Sequence, residues 1–121
     1  MENKEFEEQL KSRMMAFSIG IMRMVEALPK GRVGDVVGKQ LMRSATSVGA
    51  NYRAACRGRS KADFVAKLSI AEEEADESQY WLEILASLNQ IDREIFGSLH
   101  TEACELTAIL TSSIKTAKQK M

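Results

Sequence analysis

Residues 64–85 read FVAKLSIAEEEADESQYWLEIL, and their spacing decides the fold. Phe64, Leu68, Ala71, Ala75, Ser78, Leu82 and Leu85 follow one another at intervals of four and three without a break. That is the repeat of one face of an α-helix, whereas a strand would alternate at every second residue. The stretch also carries its own punctuation. Ser60, with Asp63 three residues on, makes an acidic variant of the capping box. The run Asn89-Gln90-Ile91-Asp92 ends the helix and leaves Asp92 to cap the next one.

The same period extends outward in both directions. A first helix carries Phe6, Leu10, Met14, Phe17, Ile21, Met24 and Leu28, and a second Val37, Leu41, Ser44, Val48, Asn51 and Ala55. The fourth carries Ile95, Leu99, Ala103, Leu106, Leu110 and Ala117, with Phe96 and Ile114 beside them. Pro29, Gly31 and Gly34 make the first break, and Gly58 between Arg57 and Arg59 the second. The predicted helices span about 5–28, 35–57, 61–88 and 93–118, each roughly 33–40 Å long at 1.5 Å per residue. Equal lengths and short connections force neighbours to run antiparallel. The expectation is a single all-α domain over 1–121, an up-down-up-down four-helix bundle.

Composition narrows the function classes. The 121 residues hold 17 basic and 17 acidic side chains, so net charge gives no argument for a polyanionic partner. A 45% hydrophobic and 28% charged chain fits a folded soluble domain. No apolar run approaches the roughly 18–20 residues of a membrane span. The charged start Met1-Glu2-Asn3-Lys4-Glu5 lacks a signal-peptide core, which points to the cytoplasm. Cys56 and Cys104 fit no zinc spacing and read as free, buried thiols.

Charge is nonetheless segregated. From Lys39 to Lys67 seven basic residues face a single acid, Asp63; from Leu68 to Ala86 six acids face no base. On a helical projection Lys39, Arg43, Arg53 and Arg57 fall within an arc of about 80° opposite the apolar face of the second helix. Thr46 and Ala50 lie between them, and Arg59 and Lys61 carry the charge into the following turn. Two readings stand side by side. The stripe is an anion-contact surface for RNA backbone phosphate, which the planar arginine fork suits; or it pairs with the acids of the third helix across their wet faces, and Glu73 or Glu77 could also neutralise it across a subunit boundary. Tyr52 is the one aromatic nearby and faces the core, so base stacking on the stripe is not expected.

Ser44 and Asn51 fall on the core line of the second helix and read as a structural polar core, with Asn51 bridging to another helix. Two helices also carry surplus apolar stripes: Met15, Ile19 and Met22 on the first, and Ile70, Trp81, Ile84 and Leu88 on the third. A contiguous stripe with a Trp marks an interface, and a homo-oligomer is the expectation. Catalytic patterns are missing. His100 is read as lacking a Cys or His at ligand spacing, the Glu72–Glu77 acids read as a solvated face, and no phosphate-cradling loop, nucleophile elbow or triad is present. No enzyme activity, cofactor, metal or small-molecule substrate is expected.

The stretches KQLMRSATSVGAN (39–51) and RSKADFVAKLSIAEEEADESQYWLEIL (59–85) resemble a known family, the small four-helix bundle proteins encoded in intervening sequences of bacterial 23S rRNA genes. Arg43, Asn51, Arg59, Ser60, Asp63, Phe64, Trp81 and Leu82 match its pattern individually. Where many members read Asn-Ile-Ala-Glu-Gly, this chain has Asn51-Tyr52-Arg53-Ala54-Ala55, so no role of that Glu transfers. With Ala55 in place of Gly, the second helix should run on to about Arg57. The resemblance implies a non-enzymatic bundle assembling as a ring, commonly a pentamer, with a genetic association with ribosomal RNA. It is also similar to accessory proteins of diversity-generating retroelements, in which such rings bind nucleic acid through a basic surface.

Overall fold

A computed structural model describes residues 4–121; Met1, Glu2 and Asn3 of the charged N-terminal stretch lie outside the described residues. Four helices follow in order: α1 (Lys4–Glu26), α2 (Arg32–Cys56), α3 (Lys61–Ser87) and α4 (Arg93–Gln119). No helix is long and apolar enough to cross a membrane among the described residues.

The breaks differ from the sequence expectation at the first connection. α1 ends at Glu26 because the residue before a proline is held out of helical geometry. Its last turn tightens to three-residue bonds, Ala27 to Met24 and Leu28 to Val25. α2 starts three residues earlier than expected, at Arg32. Gly34 is a packing glycine inside the first turn rather than a break, since a Cβ there would lie 2.8 Å from the Pro29 carbonyl oxygen. The true hinge is Gly31, whose φ of 151° few L-residues adopt.

The remaining punctuation follows the residues. The Ser60 hydroxyl accepts from the Asp63 N–H, while the Asp63 carboxylate reaches the Arg59 N–H. Asp92 accepts from the N–H groups of Glu94 and Ile95. α3 closes with Asn89 in the left-handed region, φ 56°, and the Gln90 N–H returning to the Leu85 carbonyl. This is the Schellman arrangement, with Asn in the place glycine usually takes. α2 ends at Cys56 with Arg57 as its cap, as Ala55 predicts.

Side-chain contacts establish that every adjacent pair is antiparallel. Gly49 packs beside Met14 and Gly38 beside Val25 across α1 and α2. Ser44 meets Ser78 across α2 and α3, where Gly58 just past the end of α2 lies beside Phe64, and Gln79 meets Thr107 while Glu72 meets Thr111 across α3 and α4. Arg13 meets Glu102 and Gly20 meets Leu99 across α4 and α1. In each pair the numbers rise on one helix as they fall on the other. The seams run α1–α2, α2–α3, α3–α4 and α1–α4, the last being the least closely packed.

The core holds the predicted line except at three positions, the half-buried Asn51 and two residues at helix starts. Phe6 and Ile95 sit near the helix starts and are exposed, at 43% and 46%. In their stead Ala45, Tyr52 and Val65 turn inward. Small residues at the centre, Ala45, Ala71, Ala75 and Ala103, are all fully buried and allow the axes to approach.

Two glycines make a matched test of this packing. Gly97 has open space where a Cβ would stand, whereas a Cβ on Gly38 would lie 2.8 Å from a methyl of Val25. Gly97→Ala should raise stability by about 0.5–1 kcal/mol through helix propensity alone. Gly38→Ala gains the same propensity but overpacks the α1–α2 seam, for a net loss of about 1 kcal/mol. Urea melts of both variants read the two signs.

Candidate nucleic-acid interface

The six basic residues of the stripe are all exposed, and they divide into two kinds. Arg43 is pinned. Its guanidinium contacts Glu74 at 3.2 Å and also bonds Glu77, both on α3 of the same chain. Lys39, Arg53, Arg57, Arg59 and Lys61 form no ion pair among the described residues. The pairing of opposite charges between adjacent helices is therefore real at Arg43, made within the chain by Glu74 and Glu77, with Glu73 taking no part. The other five cations remain available.

Register fixes why Arg43 alone is taken. α2 and α3 cross so that residue numbers facing each other add to about 120, as Ser44 and Ser78 show. Acids at 74 and 77 then stand level with Arg43, while Arg53 and Arg57 stand level with Lys67 and Phe64, where α3 offers no unpaired acid. Asp63, the one acid there, is engaged by Lys67 at 3.4 Å and by the turn at Arg59.

Apolar residues border this stripe on both sides. Met15, Ile19 and Met22 are 54%, 41% and 40% exposed on the outer flank of α1. Ser18 beside them donates to the Ala45 carbonyl, which places that flank next to α2. On the other side Ile70 and Leu88 are exposed, and Trp81 and Ile84 are half-buried against the core. The Trp81 indole N–H donates to Glu77 at 2.9 Å, the same carboxylate that holds Arg43. Tyr80 packs edge-on against Trp81.

The family model for 23S rRNA-intervening sequence protein matches residues 7–112. The chain belongs to that family. A solved structure from Bacteroides thetaiotaomicron VPI-5482, a protein with unknown function from the S23 ribosomal protein family, is similar to it at 36% identity. The likeness covers 90% of this chain and 97% of that one, with a TM-score of 0.80. No curated protein matches the chain.

Of the two polar residues read onto the core line of α2 in this family member, one is placed as expected and one is not. Ser44 is buried and meets the Ser78 hydroxyl at 2.9 Å, so it does bridge two helices. Asn51 does not. It is half-buried, and its amide donates to the Ser47 carbonyl and hydroxyl one turn back in its own helix. Period placed it on the core line, but Tyr52 takes the inward position instead.

His100 also has partners that sequence inspection missed. Its Nε2 lies 2.8 Å from Glu83, its Nδ1 lies 3.7 Å from the Cys104 sulfur, and Phe96 stacks on its ring. The signal was the four-residue spacing of His100 and Cys104, one helical turn apart. Burial, then the nearby Glu83 and Asp76, push the Cys104 thiol above its ordinary range. An acidic surrounding of that kind opposes thiolate formation, so the line of three is built as a seam contact between α3 and α4 rather than as an activated nucleophile. Both cysteines are free.

Glu77 yields a pH prediction. The Trp81 indole N–H, and after it Arg43, hold its carboxyl below the usual glutamate range. A carboxyl lowered on folding contributes stability above its unfolded value, and the contribution disappears as pH falls through the folded one. Trp81 is the chain's single tryptophan. Its emission should therefore titrate below the ordinary glutamate range, and Glu77→Gln should abolish that titration.

Proposed function

We propose that this protein is a non-enzymatic, cytoplasmic RNA-associated homo-oligomer that holds RNA by its phosphates on the outer face of α2. The supporting observation is the row of five exposed cations, Lys39, Arg53, Arg57, Arg59 and Lys61, free of ion pairs among the described residues. Membership of a family named for intervening sequences of 23S rRNA makes ribosomal RNA the first ligand to try.

Self-association follows from the two apolar flanks. They lie to either side of α2, and they are unlike each other, which suits a head-to-tail contact that closes into a ring such as a pentamer. In that arrangement the flank of α1 in one subunit covers the flank of α3 in the next. The face of α2 stays open between them and repeats around the ring. A contact that instead buried the stripe would desolvate five cations, a cost of several kcal/mol per unpaired ion. Arg43 acts here as a strut between α2 and α3 more than as a phosphate contact.

Binding of a 23S rRNA fragment, followed across salt concentration, tests the RNA reading. About four phosphate contacts on single-stranded RNA should cost roughly 50-fold in affinity between 50 and 200 mM salt. Arg53→Glu, Arg57→Glu and Arg59→Glu together should abolish binding while assembly stays intact. Equal binding by the assembled variant would leave the stripe as a solvated face, and the protein as a scaffold that contacts only protein.

Assembly is tested by light scattering against the 13.5 kDa chain mass. The wild type should scatter as a multiple of that mass. Met15→Glu, Ile19→Glu and Met22→Glu together should give a monomer whose helix content is unchanged. A wild-type monomer at micromolar concentration would sink the ring.

A further inference from the structure

Where the basic stripe runs into the α2–α3 turn, the surface opens into a cleft of about 440 Å³. Four separate segments build it: the start of α1, the end of α2 with its turn, the start of α3 and the end of α4. Its size falls within the roughly 300–1,000 Å³ of sites that hold small organic molecules. The composition is graded. Aromatic rings of Phe6 and Phe64 line it, with the buried Tyr52 behind them, and Arg59, Lys61 and Lys120 stand around it, all three exposed. Ser113 and Thr116 add hydroxyl groups from α4.

We infer that this cleft receives one unstacked base of single-stranded RNA, with the adjoining phosphates on Arg59, Lys61 and Lys120. The inference rests on the RNA reading above and says how a strand lying on α2 would be gripped at its end. Each part of the lining has a counterpart in a nucleotide. Aromatic faces stack on a base whatever its sequence. Cations meet the phosphates, and Arg59 and Lys61 make the cleft continuous with the exposed cations of α2. Glu7 on the wall supplies an acceptor for an amino group on a base edge and repels phosphate from the interior. A duplex keeps its bases stacked and paired, so it would touch the α2 stripe and leave the cleft empty.

Cys56 lines the cleft and Cys104 does not, which gives the full-length protein a built-in footprint. The experiment compares a mixed-sequence heptaribonucleotide with a duplex of the same length at low salt. Alkylation of each cysteine by N-ethylmaleimide is followed by mass spectrometry. The single strand should slow modification of Cys56 at least fivefold and leave Cys104 unchanged, and the duplex should protect neither. Phe6→Ala with Lys120→Glu changes two exposed residues outside the α2 stripe. That variant should bind the single strand at least tenfold more weakly and the duplex as before. A single strand that binds without slowing Cys56 modification, or that binds the variant equally well, overturns the cleft assignment and leaves the α2 reading standing. Failure of the wild type to bind either RNA overturns both.

Discussion

The register of α2 against α3 governs most of what this surface can do. It is set inside the core, where Ser44 and Ser78 are wholly buried and can satisfy each other only at one offset of the two helices. With two protons for three contacts, one hydroxyl donates to the other, and the acceptor donates to a carbonyl of its own helix, Leu41 for Ser44 or Glu74 for Ser78, so neither is left unpaired. Sliding one helix by a turn would break this pair and leave each hydroxyl only the carbonyl of its own helix, a loss of about 0.5–1.5 kcal/mol. The same offset carries Glu74 and Glu77 to Arg43 on the outside. An interior hydrogen bond thus decides which arginine of the stripe is neutralised.

That division matters because α2 lies between two exposed apolar flanks. A helix in that position has conflicting demands on its outer face: neighbours that cover the flanks approach the cations, and cations resist burial without counter-charges. Thr46 and Ala50, small and central in the stripe, keep the face flat where long side chains would otherwise crowd a neighbouring subunit. Thr46 turns its hydroxyl back to the Met42 carbonyl, so it presents a methyl outward and asks nothing of a ligand.

Helix number, order and nearly all of the buried line were legible in the sequence, because a 3.6-residue period is a local property that neighbouring helices reinforce. Legibility failed where the answer depended on relation between helices. Phe6 and Ile95 obey the period yet lie where their helices run past the packed centre. Asn51 obeys it too, but a small rotation of α2 gives the inward place to Tyr52. The partners of Arg43 required the α2–α3 offset, which no single-helix projection contains. The four-residue spacing of His100 and Cys104 is visible in the sequence, whereas Glu83, seventeen residues before His100, depends on the α3–α4 pairing. The cleft at the α2–α3 turn draws on four segments far apart in the chain, so only the folded structure assembles it.

The α1–α4 seam has a consequence for the order in which the molecule assembles. Every other seam joins helices consecutive in the chain, which can zip together as hairpins soon after they form. The α1–α4 contact joins residues 89 apart, through the fork of Arg13 on Glu102 at 2.6 and 3.0 Å with Glu105 at 2.8 Å. Closing so large a loop waits until the intervening helices have shortened the path, so this seam is completed last. It is also the least closely packed seam, and its ionic contacts are partly open to solvent. The first and last helices therefore form the latch of the bundle, and the sparse contacts between them make it the place where local opening costs least.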